Sequence, residues 1–541
     1  MTIGTLILIV GAVALLLTIL IGAGTSRIDN WLISFLQNFC GALFIFSGWV
    51  KAVDPLGTAY KMEQYFAEFE STFSGTWFSF LAPLFPQLAE WATGFAVFMV
   101  VFEIVLGVML MIGSARKFTA WAFFLLVAFF TVLTGFTYLT GYVPAGVNFF
   151  QFSQWGPYVA TNMKVTDCGC FGDFIKLEPF TSFMKDVFLL VPSVLFLVYH
   201  SKMHQLFGAG ARTAIVLLGT GALILYSFSN YMWDIPHADF RPFHKGANIR
   251  LEKELEDLAE NNADVVAYKV TNKATGETAQ FPIDEYLKKY KQYPKEEWEL
   301  EQIKEEPVVK VVKSADGFSV PSAEGEPYAA ELAAYLANEW EVEGDTTAKV
   351  VERSKVSDFE LSGGAEGSDM TYDILNNPEY SFMIVAYKLY THAEETTTEM
   401  LRDTLYAVDT VAVGDTVKMV RKVDRVDKRQ VEHTVYEWEP DYLDPWTDIV
   451  NPVLAEAQKA GFEVFAATSF ASPDKLQQFR EATGSDYPFY TGDDILLKTI
   501  VRSNPGVVLL KNGKVVDKWH YKKLPTYAEL QAQYLSSGQV Q

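Results

Sequence analysis

Six long apolar segments dominate the first half of this 541-residue chain. A helix needs about 20 predominantly apolar residues to cross the hydrocarbon core of a bilayer. Stretches of that length predict spanning helices at residues 5–24, 32–52, 90–113, 117–141, 183–201 and 212–232. The first stretch lacks the basic flank and cleavage site of a signal peptide, so it is predicted to be a true span. The sequence therefore predicts a membrane α-helical bundle of about six helices, with the lipid bilayer as its partner.

Basic residues near the ends of these segments predict their orientation. Alternate short loops and their edges contain Arg27, Arg116, Lys117, Lys202 and Arg212. Cytoplasmic loops are enriched in Lys and Arg. The protein is therefore predicted to be a multi-pass protein of the cell inner membrane. The 53–89 loop, the 142–182 loop and the polar C-terminal half are then expected on the periplasmic side.

The negative charge of the chain is concentrated after residue 232. Up to that residue 11 acidic residues face 10 basic ones, whereas the remainder holds 55 acidic and 34 basic residues, a net charge of −21. Nucleic-acid binding needs a basic surface that neutralises phosphates. The sequence therefore predicts no nucleic-acid partner, and it predicts a soluble C-terminal half.

Two of the three cysteines, Cys168 and Cys170, lie one residue apart in the loop 142–182. On the periplasmic side disulfides persist, and a strained, exposed Cys-x-Cys disulfide is typical of a labile, oxidising bond. We therefore predict a thiol–disulfide redox pair. A static staple of the loop and half of a metal site remain alternatives, although no His or second Cys pair lies nearby in sequence. The third cysteine, Cys40, is expected to be a small buried side chain.

Three charged residues are candidates for supporting roles. Glu103 lies about 13 residues into the third span, near the bilayer centre. A carboxylate there marks a functional or structural polar contact. It either accepts protons during quinone or thiol chemistry, or it is protonated and hydrogen-bonded to a Ser, Tyr or Trp. Lys51 is predicted to snorkel to the outer interface, with pairing to Asp54 beneath the cysteine loop as the alternative.

The membrane half resembles a known family in three motifs. These are Phe46-Ser47-Gly48-Trp49-Val50-Lys51-Ala52-Val53-Asp54-Pro55-Leu56-Gly57, the run Phe102–Gly107 extending to Gly113, and Cys168-Gly169-Cys170-Phe171-Gly172-Asp173. They look like the signature of the DoxX/MauE-like membrane proteins. The chain as a whole is similar to Bacteroidota-type DoxX-family proteins with a long periplasmic extension.

This resemblance implies a four-helix core over residues 32–201. The spans at 1–31 and 212–232 are then additions to that core. MauE-like members are associated with disulfide formation during the maturation of methylamine dehydrogenase. The resemblance thus implies a thiol-redox role, for which no cofactor is certain and a quinone is the candidate.

Residues 233–345 predict an α+β linker region. Residues 251–262 are typical of an amphipathic helix, and the alternating stretches 264–271 and 277–282 predict a hairpin around the turn Lys273–Glu277. Residues 314–326 are rich in Ser, Gly and Pro, so they predict a flexible linker.

Residues 346–541 predict an α/β domain. We expect a first strand at 357–361, strands at 381–387 and 462–468, a helix at 444–460 and an insertion near 405–440. The run Ser503–Val516 is similar to the proline-strand-turn-strand element of thioredoxin-like folds. That resemblance implies a thioredoxin-like domain in which the Asn504–Pro505 bond is cis.

The thioredoxin-like resemblance fails at the redox motif. Active members carry Cys-x-x-Cys after the first central strand, where this chain has Leu389–Glu395, and the polar half contains no cysteine. We therefore interpret the domain as a docking module for a periplasmic or envelope protein. Two functions follow: a thiol–disulfide oxidoreductase-like membrane protein, or a non-catalytic scaffold or assembly subunit of an envelope complex. Reversibility of the Cys168–Cys170 bond distinguishes them.

Overall fold

The computed structural model describes residues 2–535 apart from 26, 145, 166–167, 274–277, 316, 341, 343, 364–366 and 414–415. The chain divides into two compact units. The first comprises Met1–His244 and Leu251–Ser357, and the second comprises Lys245–Arg250 and Asp358–Gln541.

The first unit begins with the helices of the membrane region. They are α1 (Ile3–Gly24), α2 (Trp31–Val53), α3 (Pro55–Phe73), α4 (Leu84–Glu90), α5 (Ala92–Ile112), α6 (Arg116–Thr140), α7 (Pro179–Tyr199) and α8 (Ala209–Phe228). All of these except α3 and α4 are long and apolar enough to cross a membrane. The six predicted spans are therefore confirmed among the described residues.

Helices α3 and α4 occupy the stretch that the sequence predicted as the loop 53–89. Pro55 takes the first position of α3, and the Asp54 side chain accepts a hydrogen bond from the Gly57 N–H at 3.1 Å. A proline at the first position and an acidic N-cap are strong start signals. The prediction that this stretch is a loop was wrong. Its polarity excludes a spanning helix, but α3 is a helix that packs along α5.

The centre of the membrane region is a close contact between α2 and α5. A Cβ atom placed on Gly41 would lie 2.8 Å from the Gly107 carbonyl oxygen, and one placed on Gly107 would lie 2.7 Å from the Gly41 oxygen. Two glycines thus let the helix backbones touch, as small residues do in membrane proteins. The surrounding buried core consists mainly of Leu43, Phe44, Leu106, Leu110, Phe123 and Phe196.

Three of the arginines that predicted the orientation lie at one end of this region. Arg27 donates to the Gln205 carbonyl at 3.1 Å, and Arg116 donates to the Ser201 carbonyl at 2.8 Å. Arg212 donates to the Phe207 carbonyl at 2.9 Å. The three side chains therefore meet the same short connection between α7 and α8. Helix α7 itself contains a buried proline, Pro192.

The rest of the first unit is α+β. It contains α9 (Ile249–Asn262, whose first residues fall in the second unit), β1 (Val265–Asn272), β2 (Thr278–Pro282), α10 (Ile283–Lys289), β3 (Trp298–Lys304), β4 (Val308–Ser314), β5 (Gly317–Ser319), α11 (Ala329–Glu339) and β6 (Thr346–Val350). Two three-stranded sheets form, in the orders β2-β1-β3 and β5-β4-β6. The predicted hairpin is confirmed as β1 and β2, while residues 274–277 of its turn lie outside the described residues.

The predicted linker at 314–326 is wrong. Val320 and Ala323 are buried among Val311 and Leu332, because strand β5 and a short 3-10 turn hold this segment against the core. The end of the region also differs from the predicted boundary between residues 345 and 346. Strand β6 pairs with β4, so the first unit continues to Ser357.

The second unit contains a seven-stranded sheet with helices. Its elements are β7 (Ser362–Gly363), β8 (Ser368–Asp369), α12 (Thr371–Leu375), β9 (Tyr380–Ala386), β10 (Thr391–Val413), β11 (Thr416–Trp438), α13 (Pro440–Asp444), α14 (Asn451–Lys459), β12 (Glu463–Thr468), α15 (Pro473–Thr483), β13 (Phe489–Thr491), α16 (Asp494–Ile500), β14 (Gly506–Lys511), β15 (Lys514–His520) and α17 (Tyr527–Leu530). The sheet order is β15-β14-β9-β12-β13-β7-β8.

Strand β9 lies at the centre of this sheet, parallel to β12 and antiparallel to β14. Its residues from Ser381 onward are fully buried, as expected of a continuous apolar strand covered on both faces. The predicted helix at 444–460 is present as α13 and α14, joined by a π-helical stretch at 445–450. The Asn504–Pro505 bond before β14 is cis.

The predicted first strand at 357–361 is wrong. Phe359 and Leu361 are buried, but the Leu361 N–H donates to the Thr371 side chain at 3.0 Å instead of to a neighbouring strand. The strand at this position is the short β7, at 362–363. Alternating burial therefore arose here without a ladder.

The predicted insertion near 405–440 is a long hairpin. Strands β10 and β11 have 23 residues each and pair antiparallel from Thr391↔Trp438 to Val413↔Thr416. The hairpin therefore begins at Thr391, earlier than the predicted insertion. The described ladder holds only these two strands.

We expect Gly107→Ala to weaken the α2–α5 contact, because its new Cβ would meet the Gly41 carbonyl oxygen at 2.7 Å. Overpacking of this kind costs about 1–3 kcal/mol. The measurement is the midpoint of SDS-induced unfolding in mixed micelles. Gly94→Ala, on the same helix and with nothing within 4 Å of its new Cβ, is the matched control. Equal midpoints for the two variants would contradict the assigned contact.

Candidate functional site

A buried ion pair joins α2 to α5. The Lys51 Nζ lies 2.6 Å from the Glu103 Oε2, and the two residues are only 8% and 3% exposed. The Lys51 Nζ also lies 5.4 Å from the centre of the Phe130 ring on α6. Charges inside a membrane protein are costly unless they are paired. The pair therefore fixes how the last turn of α2 packs against α5.

A second pair of charges lies at the start of α7. Lys185 and Asp186 form an ion pair, and the other Asp186 oxygen accepts a hydrogen bond from the Thr134 hydroxyl on α6 at 3.1 Å. Asp186 is 1% exposed. Ser182 lies one turn earlier on α7 and is equally buried. These three residues follow the i, i+3, i+4 spacing of one helix face.

The two loop cysteines lie beside this second pair. Both are free thiols and both are partly buried. Gly169 between them has φ of 60°, a left-handed conformation that suits glycine and turns the chain sharply. The Cys170 carbonyl accepts a hydrogen bond from the Ser47 hydroxyl on α2 at 2.8 Å. The motif residues 166–167 lie outside the described residues.

Hydroxyl groups from three helices surround the Cys168 sulfur. They belong to Tyr65 on α3, Thr137 on α6 and Ser182 on α7. The Tyr65 and Thr137 oxygens are 2.7 Å apart. The Ser182 hydroxyl has no hydrogen-bond partner of standard geometry among the described residues. It lies near both sulfurs, where it would stabilise a thiolate.

Electrostatics distinguish the two thiols. Burial and, to a smaller degree, the charge of Cys170 raise the pKa of Cys168 to about 12. Burial also raises the pKa of Cys170, but the Lys185 ammonium opposes this effect and is the largest charge acting on it. Both groups are therefore thiols near neutral pH. If one of them ionises, Cys170 is the better stabilised.

The structure corrects the predictions for Lys51 and Glu103. Lys51 does not snorkel to the interface and does not take Asp54 as the partner proposed from sequence; its ammonium turns inward to Glu103. Glu103 accordingly meets a lysine, not the Ser, Tyr or Trp that we considered. Asp54 caps α3, the helix that carries Tyr65. Cys40 is buried in the core, as predicted, and lies three turns of α2 before Lys51, roughly 16 Å along the axis.

Sequence analysis missed five polar residues of this cluster: Tyr65, Thr137, Ser182, Lys185 and Asp186. Tyr65 was hidden in a predicted loop, and the hydroxyl residues are common in apolar helices. The adjacent Lys185 and Asp186 were the available signal, because two charges at the start of an apolar helix are rare unless paired.

The polar half contributes no thiol to this cluster. After β9, where thioredoxin-like enzymes carry their cysteines, this chain has the buried Leu389 and then enters β10. The Asn504 side chain donates to the Lys388 carbonyl at 2.8 Å and accepts from the Tyr442 hydroxyl at 3.3 Å. Asn504 and Pro505 thus lie beside the end of β9, as structural residues of that sheet.

Comparison with known proteins gives one match. Residues 29–146 match the family model described as methylamine utilisation protein MauE. No curated protein and no solved structure matches the chain. The matched stretch runs from the start of α2 past the end of α6, so it includes Lys51, Tyr65, Glu103 and Thr137 and ends before Cys168.

The match and the apolar helices together define the class of the N-terminal half. It is a region of six helices long and apolar enough to cross a membrane, which indicates a lipid bilayer environment, and its residues 29–146 are similar to MauE. The buried Lys51–Glu103 pair lies within the matched stretch, whereas the two thiols belong to the loop that follows it.

We expect Glu103→Gln to destabilise the membrane region, because it leaves the Lys51 ammonium buried without a counter-charge. Removing one partner of a buried pair costs about 3–5 kcal/mol. The double variant Lys51→Met with Glu103→Met removes both charges and should lose less stability than Glu103→Gln alone. SDS-induced unfolding in mixed micelles measures both. A double variant that loses as much stability as Glu103→Gln, or more, would show that the pair is not energetically coupled.

We expect the Cys168 thiol to react slowly in the folded protein, because only the thiolate is nucleophilic. A pKa of about 12 instead of about 8.5 lowers the thiolate fraction near pH 8 by on the order of 10³. The measurement is the iodoacetamide alkylation rate of Cys168 in a Cys40→Ala, Cys170→Ser background, folded and in denaturant. The folded rate should keep rising up to pH 10 without a plateau. A plateau below pH 9 would contradict the assigned burial.

Proposed function

We propose that this protein is a thiol–disulfide oxidoreductase-like membrane protein in which Cys168 and Cys170 cycle between dithiol and disulfide. The observation that carries the proposal is the gathering of two free thiols, three hydroxyl groups and the Lys185–Asp186 pair at one place between α2, α3, α6 and α7. A loop staple needs none of these groups. They are the groups that stabilise a transient thiolate and accept the proton that the thiol releases.

The proposed cycle begins with the disulfide form. A thiolate of a client protein attacks one sulfur, the Cys168–Cys170 bond breaks, and the other sulfur leaves as a thiolate. A second client thiolate then attacks the mixed disulfide, so that the client gains a disulfide. The pair gains the two electrons and, with two protons, becomes the dithiol. A membrane quinone is the proposed acceptor that takes up two electrons and two protons and restores the disulfide.

The surroundings of the two sulfurs support a division of labour. The Lys185 ammonium is the largest charge acting on Cys170 and favours its thiolate, while the Asp186 carboxylate opposes this effect to a smaller degree. The better stabilised thiolate is the better leaving group. Among the described residues, the groups that favour the Cys168 thiolate are neutral hydroxyls. We therefore propose that the client attacks Cys168 and that Cys170 leaves. Lys185 acts as a positioning residue, because it works through the Cys170 sulfur.

The polar half has a supporting place in this proposal. The order β15-β14-β9-β12, with β12 parallel and β14 antiparallel to β9, supports the proposal of a thioredoxin-like core. Since its counterpart of the redox motif lacks cysteine, we propose that it docks client proteins on the periplasmic side of the inner membrane. The alternative function, a non-catalytic scaffold of an envelope complex, uses the same docking role with a permanent or absent disulfide.

In each single-cysteine variant the remaining thiol is first activated by dithiodipyridine, which oxidises it to a disulfide with thiopyridone as the leaving group. We expect activated Cys170→Ser to accumulate mixed disulfides between client thiols and Cys168, and activated Cys168→Ser to accumulate far fewer. Non-reducing electrophoresis and mass spectrometry of membranes from cells would identify the adducts. In the otherwise wild-type chain, alkylation across defined redox potentials should show a reversible two-electron transition. Lys185→Met should shift the potential of this transition. Lys176→Met, which changes an exposed lysine in the loop just before α7, should leave that potential unchanged.

Each outcome has a separate meaning. Trapping by Cys168→Ser instead of Cys170→Ser would reverse the assigned order but keep the redox function. Absence of both trapping and a reversible transition would overturn the redox function and leave the scaffold as the function of this protein.

A further inference from the structure

The contacts between the described residues of the long hairpin β10–β11 and helix α15 lie near the base of the hairpin. The Lys475 Nζ on α15 lies 2.9 Å from the Glu394 Oε1, and the Gln478 side chain donates to the Thr434 carbonyl at 2.7 Å and accepts from the Tyr436 N–H at 3.1 Å. Beyond Thr396, whose hydroxyl meets that of Thr434, the ladder continues to the tip. Strands of 23 residues extend roughly 75 Å.

A ribbon of this kind is poorly stable alone. A two-stranded hairpin in water is marginal without a third strand or a packed face. Among the described residues the sheet contains only these two strands, so the outer edge of each strand is a template for another strand. The middle of the hairpin exposes large apolar side chains as well: Tyr406 is 59% exposed, Val423 51% and Val426 48%.

These apolar residues lie on one face. Tyr406 pairs with Val423, and Thr404, two residues earlier on β10, pairs with Val426. Directly paired residues share a face of the ribbon, and so do residues two apart. The middle of the hairpin thus combines two strand edges with an exposed apolar face. These are the features of a surface that binds another protein chain.

The two strands of the hairpin carry net charges of opposite sign by sequence. Strand β10 contains the acids Glu394, Glu395, Glu399, Asp403 and Asp409 against one Arg, a net of −4. Strand β11 contains the bases Lys418, Arg421, Lys422, Arg425, Lys428 and Arg429 against four acids, a net of +2. A β10 edge therefore complements a β11 edge of another copy, while two β10 edges or two β11 edges repel.

From the edges, the apolar face and their charges, we infer that the hairpin is a self-association arm, in which β10 of one copy pairs with β11 of a second copy. Such a contact is heterologous, since it uses a different surface on each partner. It leaves one edge of each type open, so it continues until a ring closes. This inference is independent of the redox proposal, because it uses no residue of the thiol cluster.

The test compares charge-reversed full-length chains in detergent by light scattering. One variant reverses β10 (Glu399→Lys, Asp403→Lys, Asp409→Lys) and the other reverses β11 (Arg421→Glu, Lys428→Glu, Arg429→Glu). The wild type should be oligomeric. Each variant alone should associate at least tenfold more weakly, and an equimolar mixture of the two should recover the oligomer. Recovery requires contacts between chains, so it cannot arise from a change within one hairpin.

A shortened hairpin guards against misfolded charge variants. Joining Glu399 to Val431, which are paired in the ladder, through an Asn-Gly turn keeps the base contacts with α15 and removes the outer arm. This chain should be monomeric. A monomeric wild type, an oligomeric shortened chain, or a mixture that fails to reassemble would each overturn the inference. A monomeric wild type would assign the open edges to a different envelope protein.

Discussion

The membrane region depends on the backbone contact between α2 and α5. Because neither Gly41 nor Gly107 has a side chain, each helix can approach the carbonyl oxygens of the other. Hydrophobic burial gives little preference for one helix pairing over another inside lipid, so close packing of small residues has to supply it. The register fixed in this way brings Lys51 of one helix to Glu103 of the other. A shift of one turn, about 5.4 Å, would leave both charges buried and unpaired.

The thiol loop rests on this framework. Ser47, one turn before Lys51, holds the Cys170 carbonyl, so the position of the loop is tied to α2. The side facing Cys168 is formed by α3 and α6 through Tyr65 and Thr137. Residues from four helices therefore converge on one short loop. That convergence explains why burial keeps both thiols protonated while hydroxyl groups and an ammonium remain close enough to stabilise a thiolate when one forms.

Sequence alone was sufficient where the signal is local. Long apolar runs predicted the six spans, and the alternation at 264–271 predicted a strand pair, because period and length depend on neighbouring residues only. It failed where a side chain finds its partner across helices. Lys51 was assigned to the interface because no sequence rule links it to a carboxylate 52 residues away. Tyr65 and Ser182 were missed for the same reason, because their partners lie on other helices. The strand predicted at 357–361 failed in the same way, because the side chain of Thr371 takes the hydrogen bond of the Leu361 N–H in place of a neighbouring strand.

Pro192 gives α7 a mechanical property of its own. Proline has no N–H to donate, so the carbonyl of Phe188, four residues earlier, lacks its intrahelical partner. The face that carries Ser182, Lys185 and Asp186 lies on the N-terminal side of that gap. This first part of α7 is therefore coupled to the remainder of the helix by one fewer bond, and it can tilt as a short lever. The Lys51–Glu103 ion pair joins α2 to α5 and includes no residue of α7. The packing of α2 against α5 thus sets the position of the two sulfurs, whereas a tilt of the first part of α7 changes the distance between the Lys185 ammonium and the sulfurs.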